Sequence, residues 1–291
     1  MAEFNIDRFA ELSGRVELDD LDWEKCRQVG ITDAEARVIR YMADTETHTI
    51  LYMRDLLAGH SAADPEITSF LSIWVYEELW HGRALDRLLT VCGHPPAPDH
   101  YKKATKNAHI RESIEASLSH FAASLTPRFI CVNMAWGALN ELTAGAAYKA
   151  VERRTQNPVL AELLKRIVRQ ERKHFSFYYK QAETRMTGDV WAQRLVTLAL
   201  KRFWTIVGSG VGGDDNLGFI AALLFDDQEG ISSLVDAQNT IRELPGLGWF
   251  ELLTAQVAAQ AAGYKKRHGP VSYGLPSGWV PPVNASPEAR A

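Results

Sequence analysis

Glu78-Leu79-Trp80-His81 and Glu171-Arg172-Lys173-His174 are two copies of one pattern, Glu-x-x-His, and the rest of the chain is read from them. On a helix, residues at i and i+3 lie on one face, one turn apart, so a carboxylate and an imidazole at that spacing can reach the same metal ion. Two such helices, each facing a helix that offers one more Glu, make a di-iron or di-manganese carboxylate site among four packed helices. The pattern therefore predicts two further lone glutamates on two further helices. Composition alone yields about 0.6 chance matches to Glu-x-x-His, so the pair carries weight only if those glutamates exist.

Both are present. Between Glu115 and Glu152 the only acidic residue is Glu141. It lies in an apolar stretch from Phe129 to Tyr148, and its neighbours at i−7, i−3, i+3 and i+7 are Met134, Ala138, Ala144 and Tyr148. A single ionised carboxylate there costs about 3 kcal/mol or more unless it is paired or metal-bound. Upstream, residues 33–59 read as an amphipathic helix on which Met42, Glu46, Thr49, Ile50 and Met53 share a face, so Glu46 interrupts an apolar stripe. Asp44 and Asp55 share another face with Arg37 and His48 and read as solvated. The candidate ligands are therefore Glu46, Glu78, His81, Glu141, Glu171 and His174. Glu46 and Glu78 are 32 residues apart and Glu141 and Glu171 are 30 apart. This is an internal two-fold of two helical hairpins. Buried Glu–His hydrogen bonding without metal would explain one pair but not all six residues.

Bulk composition narrows the class. A chain of 291 residues with 46% hydrophobic content can bury one large core or two modest ones. A formal net charge of −4 is too near neutral for a nucleic-acid binder. Cys26, Cys92 and Cys131 show no Cys-x-x-Cys spacing, which gives neither a rubredoxin-type iron site nor a disulfide framework and fits a reducing cytoplasm. The first residues lack the basic and apolar regions of a signal peptide. The longest apolar run, around Phe219 to Phe225, is too short for a membrane span.

The expected fold is all-α. A lead-in over residues 1–32 has Trp23 as a packing anchor. Four helices over about 33–58, 66–92, 128–154 and 158–186 form the metal-binding unit, 33–186. Pro65 and Asn157-Pro158 mark helix starts. Between the second and third helices runs a long polar crossover, with a short helix over roughly 109–124 and a basic stretch of Lys102, Lys103, Lys106 and Arg111. One long crossover is what a ferritin-like four-helix bundle requires. Residues 187–267 read as helices over about 190–207, 217–225, 228–242 and 248–265 that pack around or cap the bundle. Residues 268–291 read as an extended or disordered tail.

The stretch Trp74-Val75-Tyr76-Glu77-Glu78-Leu79-Trp80-His81-Gly82 resembles the Glu-Glu-x-x-His-Gly signature of the soluble acyl-carrier-protein desaturases. Glu46 with Tyr52 six residues later is similar to that family's first ligand helix, Asn140-Glu141 to its third, and Gln170-Glu171 with His174 to its second Glu-x-x-His. The resemblance covers about residues 33–186. It implies a ferritin-like fold, usually dimeric, two iron ions, dioxygen as co-substrate, an external electron donor such as ferredoxin, and an acyl-carrier protein as a partner. Two positions depart from it. Ala144 stands where those enzymes carry a Thr, and Gln170 where they carry an Asp. A carboxylate behind a ligating His raises its basicity, so an amide there alters the metal's electronics and bears on the reaction.

Four carboxylates and two imidazoles suit iron or manganese, and two divalent ions would neutralise them. The function expected is a di-iron oxidoreductase that activates dioxygen to desaturate or hydroxylate a hydrophobic, carrier-linked substrate. A di-iron N-oxygenase acting on an amine and a non-catalytic ferritin-like iron-binding protein are the alternatives. Tyr148, Trp136, Met134 and Trp80 are candidates for lining an apolar channel, although core packing explains each of them as well. Lys149, Arg153 and Arg154 end the third helix and suit its dipole.

Overall fold

The computed structural model describes residues 4–57, 59–97, 126–209 and 214–274. The described residues are all helical in class, with ten α-helices and no strand. They are α1 (Ile6–Glu11), α2 (Trp23–Val29), α3 (Asp33–Leu57), α4 (Pro65–Val91), α5 (Phe129–Arg154), α6 (Pro158–Met186), α7 (Val190–Phe203), α8 (Asp214–Leu224), α9 (Gln228–Arg242) and α10 (Leu252–His268). The short helix expected over 109–124, the basic stretch in the crossover and all of the tail beyond residue 274 lie outside the described residues.

The four long helices begin where local chemistry says they should. Asp64 caps α4 by accepting from the Glu66 and Ile67 amides, and Pro65 occupies the first turn, where its missing N–H costs nothing. Asn157 and Pro158 repeat the device at α6, with the Asn157 side chain accepting from Val159 and Leu160. The amide of Asn157 also donates to the Cys26 and Gly30 carbonyls, which ties the end of α2 to the start of α6. Beside it the free thiols of Cys26 and Cys92 sit 3.6 Å apart.

α3 packs along α4, α5 along α6, and α4 touches α6. Two glycines let these helices close up beside the ligands. A Cβ on Gly82 would meet Thr47 Oγ1 at 2.7 Å and the Ala43 carbonyl at 3.2 Å, so α3 approaches α4 right after His81. A Cβ on Gly137 would run into the Tyr178 ring, so α5 approaches α6 one turn before Glu141. α1 lies on α4, and α2 lies on α4 and α6. The lead-in thus contains two short helices. The C-terminal helices gather on α5, which α7, α8 and α9 all contact, and α10 packs on α8 and α9. α5 is accordingly apolar on nearly every side.

Three local expectations are corrected. Asp44 is buried, not solvated, because residues 204–209 and the C-terminal helices cover the side of α3 that carries Tyr41, whose hydroxyl reaches the Val207 carbonyl. Ile50 is exposed although it shares the Glu46 stripe. Arg153 and Arg154 do more than face a helix dipole. Both pair at 2.8 Å with Asp227, which caps α9 through the Gly230 amide, and so they join α5 to the C-terminal helices.

Candidate metal centre

Glu46 on α3, Glu78 and His81 on α4, Glu141 on α5, and Glu171 and His174 on α6 converge on one point inside the four long helices. None of the six is more than 7% exposed. Their ligand atoms fall into two groups, each within 4.8 Å: Glu46, Glu78, His81 and Glu171, and Glu78, Glu141, Glu171 and His174. Either group could hold a metal ion, and Glu78 and Glu171 belong to both. The two groups are therefore adjacent and overlap at two carboxylates. Both imidazoles turn Nδ1 inward. His81 Nδ1 lies 3.2 Å from Glu171 Oε1 and 3.6 Å from Glu46 Oε2. His174 Nδ1 lies 3.1 Å from Glu78 Oε1 and 3.2 Å from Glu171 Oε2.

The donor set fits a cation better than it fits itself. Glu46 Oε2, Glu78 Oε1, Glu171 Oε1 and His81 Nδ1 are buried and make no hydrogen bond; the His81–Glu171 approach is close but misaligned. Buried polar atoms are normally satisfied, and four orphans aimed at one centre are what two bound cations would resolve. Without metal, protons take their place. Burial, with Glu46 and Glu171 alongside, pushes the Glu78 carboxyl well above the usual range, and burial with Glu171 does the same to Glu141. Burial disfavours a charged His81, yet the Glu171 and Glu46 carboxylates outweigh it and push the imidazole up to about 10. His174 is raised in the same way against burial, chiefly by Glu141 and Glu171. Glu171 moves the other way: despite its burial, the two imidazoles hold it well below the usual range.

Behind the ligands lies a reciprocal outer layer. The residue preceding each motif glutamate bonds to the histidine of the other motif. Glu77 Oε2 is 2.7 Å from His174 Nε2, and Gln170 Oε1 is 2.7 Å from His81 Nε2. Gln170 Nε2 then donates to Glu77 Oε1 at 2.9 Å and to the Gly14 carbonyl at 2.8 Å. The Gly14 amide and Lys173 complete the surroundings of Glu77, and the hydrogen bond from His174 holds its carboxyl below the usual range in spite of burial. With Nε2 engaged, each ring is fixed with Nδ1 to the centre. Trp74 Nε1 donates to Glu141 Oε1 at 3.0 Å, and the Tyr148 hydroxyl donates to Glu46 Oε1.

All six residues expected as ligands are thus brought together. Glu77, Trp74 and the hydroxyl of Tyr148 were not foreseen in these supporting roles. A signal existed for Glu77, because the position before the second motif glutamate, Gln170, already stood out.

A cavity of about 240 Å³ opens beside Glu46, Glu78, Glu141 and Glu171. Its other walls come from α3, α4, α5, α6 and residues 205–209. Trp136 lines it, and so does His48, which the sequence places on the face of Asp44 and Asp55. Ala144 forms part of the wall, while the Thr143 hydroxyl is committed to the Leu139 carbonyl of its own helix. A second, apolar cavity of about 60 Å³ shares Glu46 and Ala144 with the first and includes Tyr148. Met134 and Trp80 line neither of the two; Met134 is core, and Trp80 packs beside Tyr76, Arg15 and Arg83. The Tyr178 ring walls the larger cavity, and burial, with Tyr52, Glu141 and Glu78 nearby, raises its hydroxyl well above its usual range.

No family model, no curated protein and no solved structure matches the chain. Among the described residues no helix is long and apolar enough to cross a membrane.

Proposed function

We propose that the chain is a ferritin-like di-iron oxidoreductase, a four-helix bundle whose buried centre binds two iron ions and uses dioxygen and an external electron donor to oxidise an organic substrate. The observation that carries this reading is the sharing of Glu78 and Glu171 between two adjacent ligand groups, each completed by one terminal Glu and one His. One Glu from each of two helices and a Glu-x-x-His from each of two others is the donor set of di-iron carboxylate proteins. Four carboxylates balance two divalent charges, which makes burial of the centre affordable electrostatically.

When bound, the two irons supply the electrons that reduce dioxygen and the oxidising power to attack a substrate bond. The chain's own residues do the rest. Glu77 and Gln170 set the orientation of the imidazoles. Trp74 and Tyr148 restrain the terminal carboxylates Glu141 and Glu46. The cavity beside those carboxylates gives substrate a place next to the centre.

The test is to load the purified chain with ferrous iron under anaerobic conditions and then admit dioxygen. The expected result is rapid oxidation of two irons per chain with new near-ultraviolet absorbance from a ferric carboxylate centre. Oxidation no faster than that of free ferrous iron in the same buffer would contradict the proposal.

A further inference from the structure

The cavity beside the carboxylates has a chemistry of its own. Its volume is about 240 Å³. That is below the roughly 300–1,000 Å³ typical of pockets for drug-sized ligands. Tyr52, Trp74, Trp136 and Tyr178 supply aromatic wall. Trp74 stands edge-on to Tyr178 with ring centroids 5.9 Å apart, and Tyr52 edge-on to Trp74 at 6.2 Å. Ring edges and faces at these angles form a surface suited to another ring.

Two polar atoms in this wall are buried and make no hydrogen bond: the hydroxyl of Tyr178, a residue with no exposed surface, and Oδ1 of Asn140. One is a donor and the other an acceptor. An unsatisfied buried polar group costs about 1–3 kcal/mol, so an occupant that satisfies both is favoured over one that leaves them bare. The apolar annex next to Ala144 adds about 60 Å³.

We infer that the cavity binds a compact, ring-bearing molecule whose polar group both donates and accepts a hydrogen bond, such as a hydroxyl or primary amide, and not a long acyl chain. Tyr178 donates to that group, Asn140 accepts from it, and the aromatic wall holds the ring. As a binding site the pocket stands on its own residues; that its occupant is the substrate rests on the di-iron reading above. The inference departs from the carrier-linked acyl substrate implied by the desaturase resemblance, and Ala144 and Gln170 are where the sequence already departs from that family.

The experiment is calorimetric titration of the full chain with benzyl alcohol, with ethylbenzene, which has the same shape but no hydroxyl, and with 1-dodecanol. The same samples are assayed for metal content. Benzyl alcohol is expected to bind about tenfold tighter than ethylbenzene, which is about 1.4 kcal/mol. In Tyr178→Phe and in Asn140→Leu that preference should fall to about threefold or less. Tighter binding of ethylbenzene or dodecanol, an unchanged preference in both variants, or no binding of benzyl alcohol overturns the inference. Two bound metals without ring selectivity would sink this inference alone, whereas selectivity in a chain that takes up no metal would sink the di-iron reading and leave the pocket assignment standing.

Discussion

His174 Nε2 and Glu77 Oε2 lie 2.7 Å apart, and both side chains are fully buried. The equivalent contact across the internal two-fold, His81 to Gln170, has the same length but ends on an amide. The two halves of the centre therefore share geometry and differ in charge. A carboxylate makes its imidazole a stronger donor than an amide does, so the position next to His174 should bind a divalent ion more tightly than the position next to His81.

Glu77→Gln removes that difference while keeping a hydrogen-bond acceptor. The tighter of two binding steps in an iron or manganese competition titration should weaken by about 10–100-fold, the usual effect of losing such a partner. Two steps of unchanged affinity would show that Glu77 serves only to anchor Gly14 and Lys173.

Glu141 separates a metal role from a structural one. Burial, with Glu171 alongside, raises its carboxyl well above the usual range, and Trp74 Nε1 donates to its Oε1. Glu141→Leu leaves the Trp74 N–H unpaired but removes a polar group from the core, two effects of about 1–3 kcal/mol and opposite sign. The melting temperature of the metal-free variant should lie within a few degrees of wild type, while the stabilisation added by metal should largely disappear. A collapse of the metal-free fold would favour a structural hydrogen-bonding role.

The titration of the site has a definite sign. The metal-free His81 keeps its proton up to about pH 10, and Glu78, Glu141 and His174 are raised too. A raised pKa stabilises the fold below the unfolded value, about 6.5 for histidine. That contribution is lost as pH rises through about 10. The metal-free protein should therefore melt at lower temperature at pH 10 than at pH 7. Metal uptake must expel those protons, so at pH 7 calorimetry in buffers of different ionisation enthalpy should report proton release of at least one per chain. Metal affinity should fall as the solution is acidified. Uptake without proton release would mean that the imidazoles are already neutral.

Asp227 tests the attachment of the C-terminal helices. It caps α9 and pairs with Arg153 and Arg154, and the hydrogen bond from Arg153 leads in lowering its pKa. Asp227→Ala should lose about 1–2 kcal/mol, most of it from the cap because the pairs are partly exposed. Metal stoichiometry should be unchanged. Loss of metal together with stability would mean that α9 supports the centre directly.

The six residues that converge in the bundle were legible in the sequence because each of them violates a local rule. Glu141 is a lone acid on an apolar helix, Glu46 breaks an apolar stripe, and the other four sit at i, i+3. Helix starts were legible from Asp64-Pro65 and Asn157-Pro158, whose capping chemistry is local. What escaped depends on contacts far along the chain. Asp44 reads as solvated until residues 204–209 are known to lie over α3. The same segment was expected to continue a helix to about 207, but the backbone becomes extended at Trp204, and Thr205 to Ser209 wall the cavity. No periodic pattern marks such a stretch, because its role is set by where it lands and not by its own fold. The partners of the imidazoles were half legible: Gln170 drew notice as a replaced carboxylate, whereas Glu77, one residue before its motif, could be matched to the opposite histidine only in three dimensions.

The central claim is that Glu78 and Glu171 each bridge two metal positions. Its most direct test is metal content, by elemental analysis, of the wild-type chain and of Glu78→Ala and Glu171→Ala after iron loading and desalting. Two irons are expected per folded wild-type chain and, because each variant strips a ligand from both positions at once, less than one in either. Two irons retained in either variant, or none bound by the wild type, would contradict it.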